Sequence, residues 1–216
     1  MNWENLLPNL EPSLQIVVLL VLLSMLPLII ITMTPFLRIL IILSLLRTSI
    51  GTQQVPPNLV LVGMAIILTG YIMGGPLKEI NEKALIPLSN QQLTVPQAMG
   101  EAYIPLKKFM LKQTEMKDLA FFYRISKIPN PKSPEEVGFR ELIASFLLSE
   151  LRTAFQIGFL IFIPFLVIDL IIANILLALG MIMLSPTIVS LPFKLLIFVA
   201  VDGWALILKG LVESFN

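Results

Sequence analysis

This chain contains no cysteine and no histidine in 216 residues. Thiol nucleophiles, Cys- or His-built zinc sites, Ser-His-Asp triads and imidazole switches are therefore excluded. The lack of cysteine leaves the redox compartment undetermined. Charged residues are scarce, at 13%, and the formal net charge of +1 offers no basic excess for nucleic acid. No phosphate-binding loop, dinucleotide fingerprint or metal-ligand spacing occurs, so no cofactor is expected. What is present is apolar: 56% of residues are hydrophobic and mean hydropathy is +0.90. That is too apolar for a water-soluble domain of this length.

Residues 1–13 form a polar, proline-containing lead-in. No positive stretch precedes the first apolar run and no small-residue cleavage site follows it, so no cleaved signal peptide is expected within the chain as given. Leu14 to Met33 is an apolar run of about twenty residues, the length of a membrane helix, with Pro27 inside it. Phe36 to Leu46 is a shorter run bracketed by Arg38 and Arg47. Nine residues of helix turn through about 900°, which puts these arginines on opposite faces and denies them a common partner. Gly51-Thr52-Gln53-Gln54-Val55-Pro56-Pro57-Asn58 reads as a polar turn. Leu59 to Met73 spans about fifteen residues, marginal for crossing a bilayer, and Gly74-Gly75-Pro76 ends it.

Composition then changes. Ala102, Leu106, Phe109, Met110, Gln113, Met116 and Ala120 fall at three- and four-residue steps, which predicts one amphipathic helix. Lys107, Lys108, Lys112 and Lys117 occupy its other faces. Phe109 and Phe122 are read first as core packing and second as an oligomer interface. Ser133-Pro134-Glu135-Glu136 has the capping serine, first-position proline and early acids of a helix start. The organisation is thus an apolar hairpin over 1–75, a polar helical insert over 76–140 and a second apolar hairpin over 141–216.

In that last hairpin, apolar runs flank a break at residues 180–186. Asp169 lies sixteen residues before Ser185 and Asp202 sixteen after Pro186. A helical rise of about 1.5 Å per residue puts both carboxylates roughly 24 Å from the tip, at one depth. A charge in the bilayer centre costs roughly 2.5–3.5 kcal/mol, so each carboxylate needs a reason. One is an aspartate pair, as in an intramembrane protease, although no Gly-x-Gly-Asp signature is present. A second is a proton or ion relay. The plainest is that each aspartate pairs with Arg38, Arg47, Arg152 or Lys194 and locks helices together. Lys194 is eight residues past Pro186, about 12 Å from the tip and half as deep as Asp169. Pairing within the hairpin is therefore expected to be poor, and Lys194 is assigned to another chain or a wet lumen. Met181 and Met183 at the break either end a helix or form a pliable apolar seal that excludes water. Glu150 and Arg152, too close along a helix to face each other, are capping charges or inter-subunit partners.

Four stretches together resemble one family. They are Arg38 to Arg47 followed by Gly51 to Asn58; Ser149-Glu150-Leu151-Arg152-Thr153-Ala154-Phe155-Gln156-Ile157-Gly158-Phe159; Phe162 to Asp169; and Ser190-Leu191-Pro192-Phe193-Lys194-Leu195-Leu196 with Val201-Asp202-Gly203-Trp204. They are similar to the FliP/SctR family of flagellar and type III secretion export gates, over nearly all of residues 14–215. Gly-Thr-Gln-Gln points to the flagellar branch. The resemblance implies an all-α, membrane-associated protein of bent helical hairpins with a polar helical insert, assembling into a ring-like or helical pore. It implies a homopentamer joined by FliQ/SctS-like and FliR/SctT-like subunits, working with FlhB-like and FlhA-like export components. It further implies a bacterial inner-membrane, flagellar basal-body location with much of the protein on the periplasmic side. Unfolded flagellar proteins would pass the lumen, closed at rest by a gasket holding Met181 and Met183. Glu150, Asp169, Lys194 and Asp202 would be assembly or lumen charges, and no covalent chemistry is implied. A helical-bundle ion channel or proton-coupled transporter, and less so an intramembrane aspartyl protease, are the competing expectations.

Overall fold

The computed structural model describes residues 12–52 and 54–215. The lead-in through residue 11, on which the signal-peptide expectation falls, and Gln53 of the polar turn lie outside the described residues. Helix α1 covers Pro12–Met33, α2 Phe36–Ile50 and α3 Asn58–Ile72. Helix α4, Gly74–Ile80, widens into a π turn at Asn81–Leu85 and continues as α5, Ile86–Ser89. Then come α6, Val95–Gln113, and α7, Met116–Ser126. The chain closes with α8, Phe139–Ala178, α9, Pro186–Ala200, and α10, Gly203–Glu213. No strand occurs among the described residues, in line with the all-α expectation.

Contacts divide the chain into two compact units, Met1–Pro35 with Gly70–Glu150 and Phe36–Thr69 with Leu151–Asn216. In the first, Met33, Met110, Leu119, Tyr123, Val137, Leu142 and Phe146 form the core, with Phe109 packed against it. The Phe109 ring meets Phe146 edge-on at 6.2 Å, so Phe109 serves core packing, its first reading. In the second, Leu46, Ile50, Phe165 and Phe198 form the core with Trp204 beside them. Helix α2 supplies its side through Phe36, Ile39, Ile42, Leu43, Leu46 and Ile50, the spacing of one helical face. A Cβ on Gly158 would stand 2.2 Å from Leu45, so α8 passes α2 almost backbone to side chain.

Two local expectations need correction. The stripe from Ala102 to Ala120 is carried by two helices, because the chain turns at Thr114 and Glu115, whose ψ angles of 127° and 135° are extended. A regular stripe can continue across a break when the two pieces face one core. Ser133-Pro134-Glu135-Glu136 opens a single 3-10 turn, Pro134–Glu136, and α8 begins three residues later. Its polar groups are spent locally. The Ser133 hydroxyl, then the segment's own backbone, then Lys107 hold the Glu135 carboxyl below its ordinary range, while the Glu136 carboxylate accepts from the Lys132 N–H at 2.8 Å. The true start signal of α6 is Thr94-Val95-Pro96-Gln97. There the Gln97 Oε1 accepts the Thr94 backbone N–H at 2.9 Å, the return half of a capping box.

Helix α8 is 40 residues long, and it alone among the described helices is long and apolar enough by itself to cross a membrane. The number rises to four if each bent helix pair counts as one span. At about 60 Å, α8 is roughly twice the hydrocarbon thickness of a bilayer. Its first part is polar inside: Ser145, Ser149 and Glu150 are all fully buried.

Candidate functional site

The site lies where α8 turns back into α9. Helix α8 stops by a recognisable device. Gly180 takes φ +73°, its N–H donates to the Leu177 carbonyl at 3.0 Å, and the Met181 N–H donates to the Leu176 carbonyl at 2.9 Å. This paired closure lets a glycine satisfy two orphan carbonyls at a helix end. Ser185 in extended geometry and Pro186 at the first position start α9. The intervening turn is almost wholly apolar and open: Ile182 is 79% exposed and Met183 fully so, with Met181 and Leu184 about half exposed.

Behind this turn sits a polar lock. The Lys194 ammonium donates to Asp169 at 2.6 Å and to the Ser49 carbonyl at 3.2 Å. Ser190, one turn before Lys194 on α9, donates its hydroxyl to the other Asp169 oxygen. The Lys194 side chain is only 3% exposed and the Asp169 side chain 31%. Ser49 belongs to the last turn of α2, where carbonyls lack helical partners and the helix dipole is negative, so one ammonium satisfies a carboxylate and a helix end together. Gly51, at φ +92°, takes a backbone conformation that side chains rarely adopt, and this turn brings the end of α2 alongside Leu191 and Lys194. The lock ties α2, α8 and α9 together.

This overturns the expectation that Asp169 and Lys194 pair poorly within the hairpin, and it fits the plainer reading in which the aspartate pairs with Lys194 and locks helices together. The depth estimate ran helix to Ser185, but α8 ends at Ala178 and residues 179–185 are turn. Asp169 is thus nine residues from its helix end and Lys194 eight from its own, about 13 and 12 Å, the same level. The same accounting removes the matched depth of Asp169 and Asp202. Asp202 sits in the break between α9 and α10, which are bent by 64°, and is exposed. An aspartate pair sharing one proton has no geometric basis here.

The other expected residues are placed separately. Arg38 is buried at the start of α2, where its guanidinium lies 3.9 Å from the centre of the Phe215 ring and donates to the Ser214 carbonyl at 3.3 Å. Arg47, at the other end, donates to the Pro56 carbonyl at 3.1 Å and to Asn58 at 2.7 Å. They face different partners, as their spacing requires. Glu150 is fully buried in α8. Phe122 is half-buried and stacked edge-on against Phe121.

Three arrangements escaped the sequence reading. Ser190 and Lys194 are four apart on one face of α9, a signal that marks a shared partner. Gly203 is pressed against Phe198. The third is a relay at the elbow of α6 and α7: the Glu115 N–H donates to the Ser149 hydroxyl at 3.0 Å, which donates to Asp118 at 2.7 Å. Asp118 is in the first turn of α7, so Ser149 of α8 completes a capping box from another helix. Ser149→Ala is expected to cost about 2 kcal/mol, because both Glu115 and the buried Asp118 lose this partner. Thermal unfolding of the purified chain in detergent measures it, and an unchanged midpoint would show the relay to be idle.

Buried polar locks inside apolar, repeatedly bent helices define a class: a helical, membrane-compatible scaffold. Within that class, the chain belongs to the FliP family, whose pattern matches residues 19–211. It is 47% identical over 207 residues to the flagellar biosynthetic protein FliP of Bacillus subtilis (strain 168), covering 96% of this chain and 94% of that protein. It is 49% identical over 206 residues to the protein of the same name from Caulobacter vibrioides, covering 95% and 77%. The Aquifex aeolicus counterpart is 42% identical over 210 residues, covering 96% and 88%. The chain is accordingly a structural component of the flagellar export apparatus, not an enzyme, and works alongside other export components.

Proposed function

We propose that this chain is a pore-forming subunit of the flagellar type III export gate, through which unfolded rod, hook and filament proteins cross the bacterial inner membrane. The observation that carries this reading is the exposed apolar turn from Leu179 to Leu184, held at the tip of a hairpin by the Asp169–Lys194 lock. A water-soluble turn would be polar. An unbranched, pliable methionine surface set on a rigid support suits a ring that closes against itself and yields to many sequences, since it makes no directional hydrogen bonds. In the assembly, copies of this chain join FliQ/SctS-like and FliR/SctT-like subunits next to FlhB-like and FlhA-like components, with much of the protein on the periplasmic side. The hairpins over 1–75 and 141–216 form the wall, the insert over 76–140 packs between copies, and the half-buried Phe122 supports that packing.

The test is a leak. Replacing Met181 and Met183 together by Gly is expected to raise small-ion or dye permeability of cells expressing the gate at least tenfold, with the complex still purifying intact. Unchanged tightness would remove the seal, and with it the pore reading of this turn.

A further inference from the structure

Sulfur redox chemistry in this chain has a single outlet. There is no cysteine, so any such response must use a thioether, and the chain has ten methionines. Their surroundings differ. Met73 and Met110 are buried. Met99 on α6 and Met116 on α7 are exposed, Met116 by 79%. Met183 is fully exposed and Met181 about half exposed, both in the turn between α8 and α9.

That turn is unusually intolerant of a new polar atom. Leu179, Gly180, Met181, Ile182, Met183 and Leu184 bring no side-chain hydrogen-bond donor. The Gly180 and Met181 N–H groups are already spent on the end of α8. An oxygen added to either sulfur would therefore be satisfied by water. Leucine, which stands at 179 and 184, would be as apolar as methionine at 181 and 183 but inert to oxidants. The thioether adds a chemical liability at the point where the surface most needs to stay dry.

We propose that Met183, with Met181 beside it, is a reversible oxidation site whose sulfoxide form unseals the turn. The oxidant is a peroxide, in the simplest case hydrogen peroxide. The sulfur lone pair attacks one peroxide oxygen, the O–O bond breaks and an S–O bond forms. The proton of the transferred hydroxyl passes to the departing hydroxide, which leaves as water. Sulfur gives up two electrons and the peroxide takes them. A sulfoxide reductase reverses the step: two thiols supply two electrons and two protons, the S–O bond breaks, the oxygen leaves as water and the thiols join as a disulfide. Hydrogen peroxide is little larger than water, so it reaches a seal from a wet lumen. A seal that works by excluding water needs an unbroken apolar surface, and a sulfoxide oxygen holds water in place. Met99 and Met116 belong to the other compact unit, so their oxidation leaves the turn unchanged. The effect on sealing rests on the proposed function; the chemistry at Met183 does not.

The experiment uses the purified gate complex containing the full chain, reconstituted into dye-loaded vesicles and treated with hydrogen peroxide. Peptide mass mapping is expected to find sulfoxide at Met183 well before Met73 or Met110. Dye leakage is expected to rise about tenfold and to return to its starting level with methionine sulfoxide reductase and dithiothreitol. For Met181→Leu with Met183→Leu, the ratio of leakage after peroxide to leakage before it is expected to stay at about one. Met99→Leu with Met116→Leu should keep the full response. An unmodified Met183 in the treated complex would overturn the proposal. So would unchanged leakage once Met183 is converted, or a response that survives when both turn methionines are leucine. The double glycine variant of the turn separates the two claims. If it leaks while the oxidised complex stays tight, the redox inference alone fails. If it stays tight, the pore reading fails and this inference falls with it.

Discussion

Asp169→Asn is expected to destabilise the isolated chain by about 2–3 kcal/mol, and Lys194→Met by only about 1 kcal/mol. The asymmetry follows from burial. Removing the negative charge leaves an ammonium that is 3% exposed with only neutral acceptors, the Ser49 carbonyl and the asparagine amide oxygen. Removing the ammonium leaves a carboxylate already 31% exposed and still bonded to Ser190, while methionine fills most of the vacated volume. Breaking a fully buried pair costs roughly 3–5 kcal/mol, and the partial exposure of Asp169 lowers that figure. Because the lock fixes the hairpin that presents Met181 and Met183, Asp169→Asn should also lower the yield of assembled gate. Unfolding midpoints of the two variants in one detergent decide the matter. Equal losses, or the reverse order, would mean that the ammonium is not confined as described. Intact assembly with secretion abolished would favour an ion relay through the same pair.

Gly203→Ala is the second large effect, at about 3 kcal/mol. A Cβ at this position would stand 2.2 and 2.3 Å from two carbons of the Phe198 ring and 2.8 Å from a third. The ring cannot swing aside easily, since it is packed between Phe165 at 6.4 Å and Trp204 at 5.5 Å, centre to centre. One methyl group therefore forces apart the α9–α10 corner or the core of its unit. Adding Phe198→Leu should restore part of the loss, because the smaller side chain vacates the contested volume at the expense of its own packing. Strictly additive destabilisation in the double variant would show that Gly203 matters for another reason.

Much of this protein can be read directly from its residues. Apolar runs of helical length, punctuated by Pro and Gly, specify an all-α chain with short bends. Gly180 ends α8 and Ser185-Pro186 starts α9 because each residue type is suited to one end of a helix. The long motifs around Arg38, Glu150, Asp169 and Asp202 carry the family. Legibility fails where outcomes depend on contacts distant in sequence. Local rules mark Ser133-Pro134-Glu135 as a start, yet its polar groups are satisfied within the loop and by Lys107 of α6, which donates to the Glu135 carbonyl, and the helix waits until Phe139. Spacing shows a single stripe from Ala102 to Ala120, and only Ser149 of a remote helix reveals the turn at Glu115.

The sequence by itself determined the helices, their apolar faces, the methionine turn and the choice of residues able to bear charge, since propensity, periodicity and capping act over a few neighbouring residues. Tertiary structure alone decided which charges meet. Asp169 and Lys194 become level only because seven residues of turn are not helix, and the end of α2 meets them through the Ser49 carbonyl. Asp202 is left exposed in the break between α9 and α10, where its backbone turns left-handed. Pairing across the fold is set by angles and offsets that accumulate along the whole chain, and no local pattern records them.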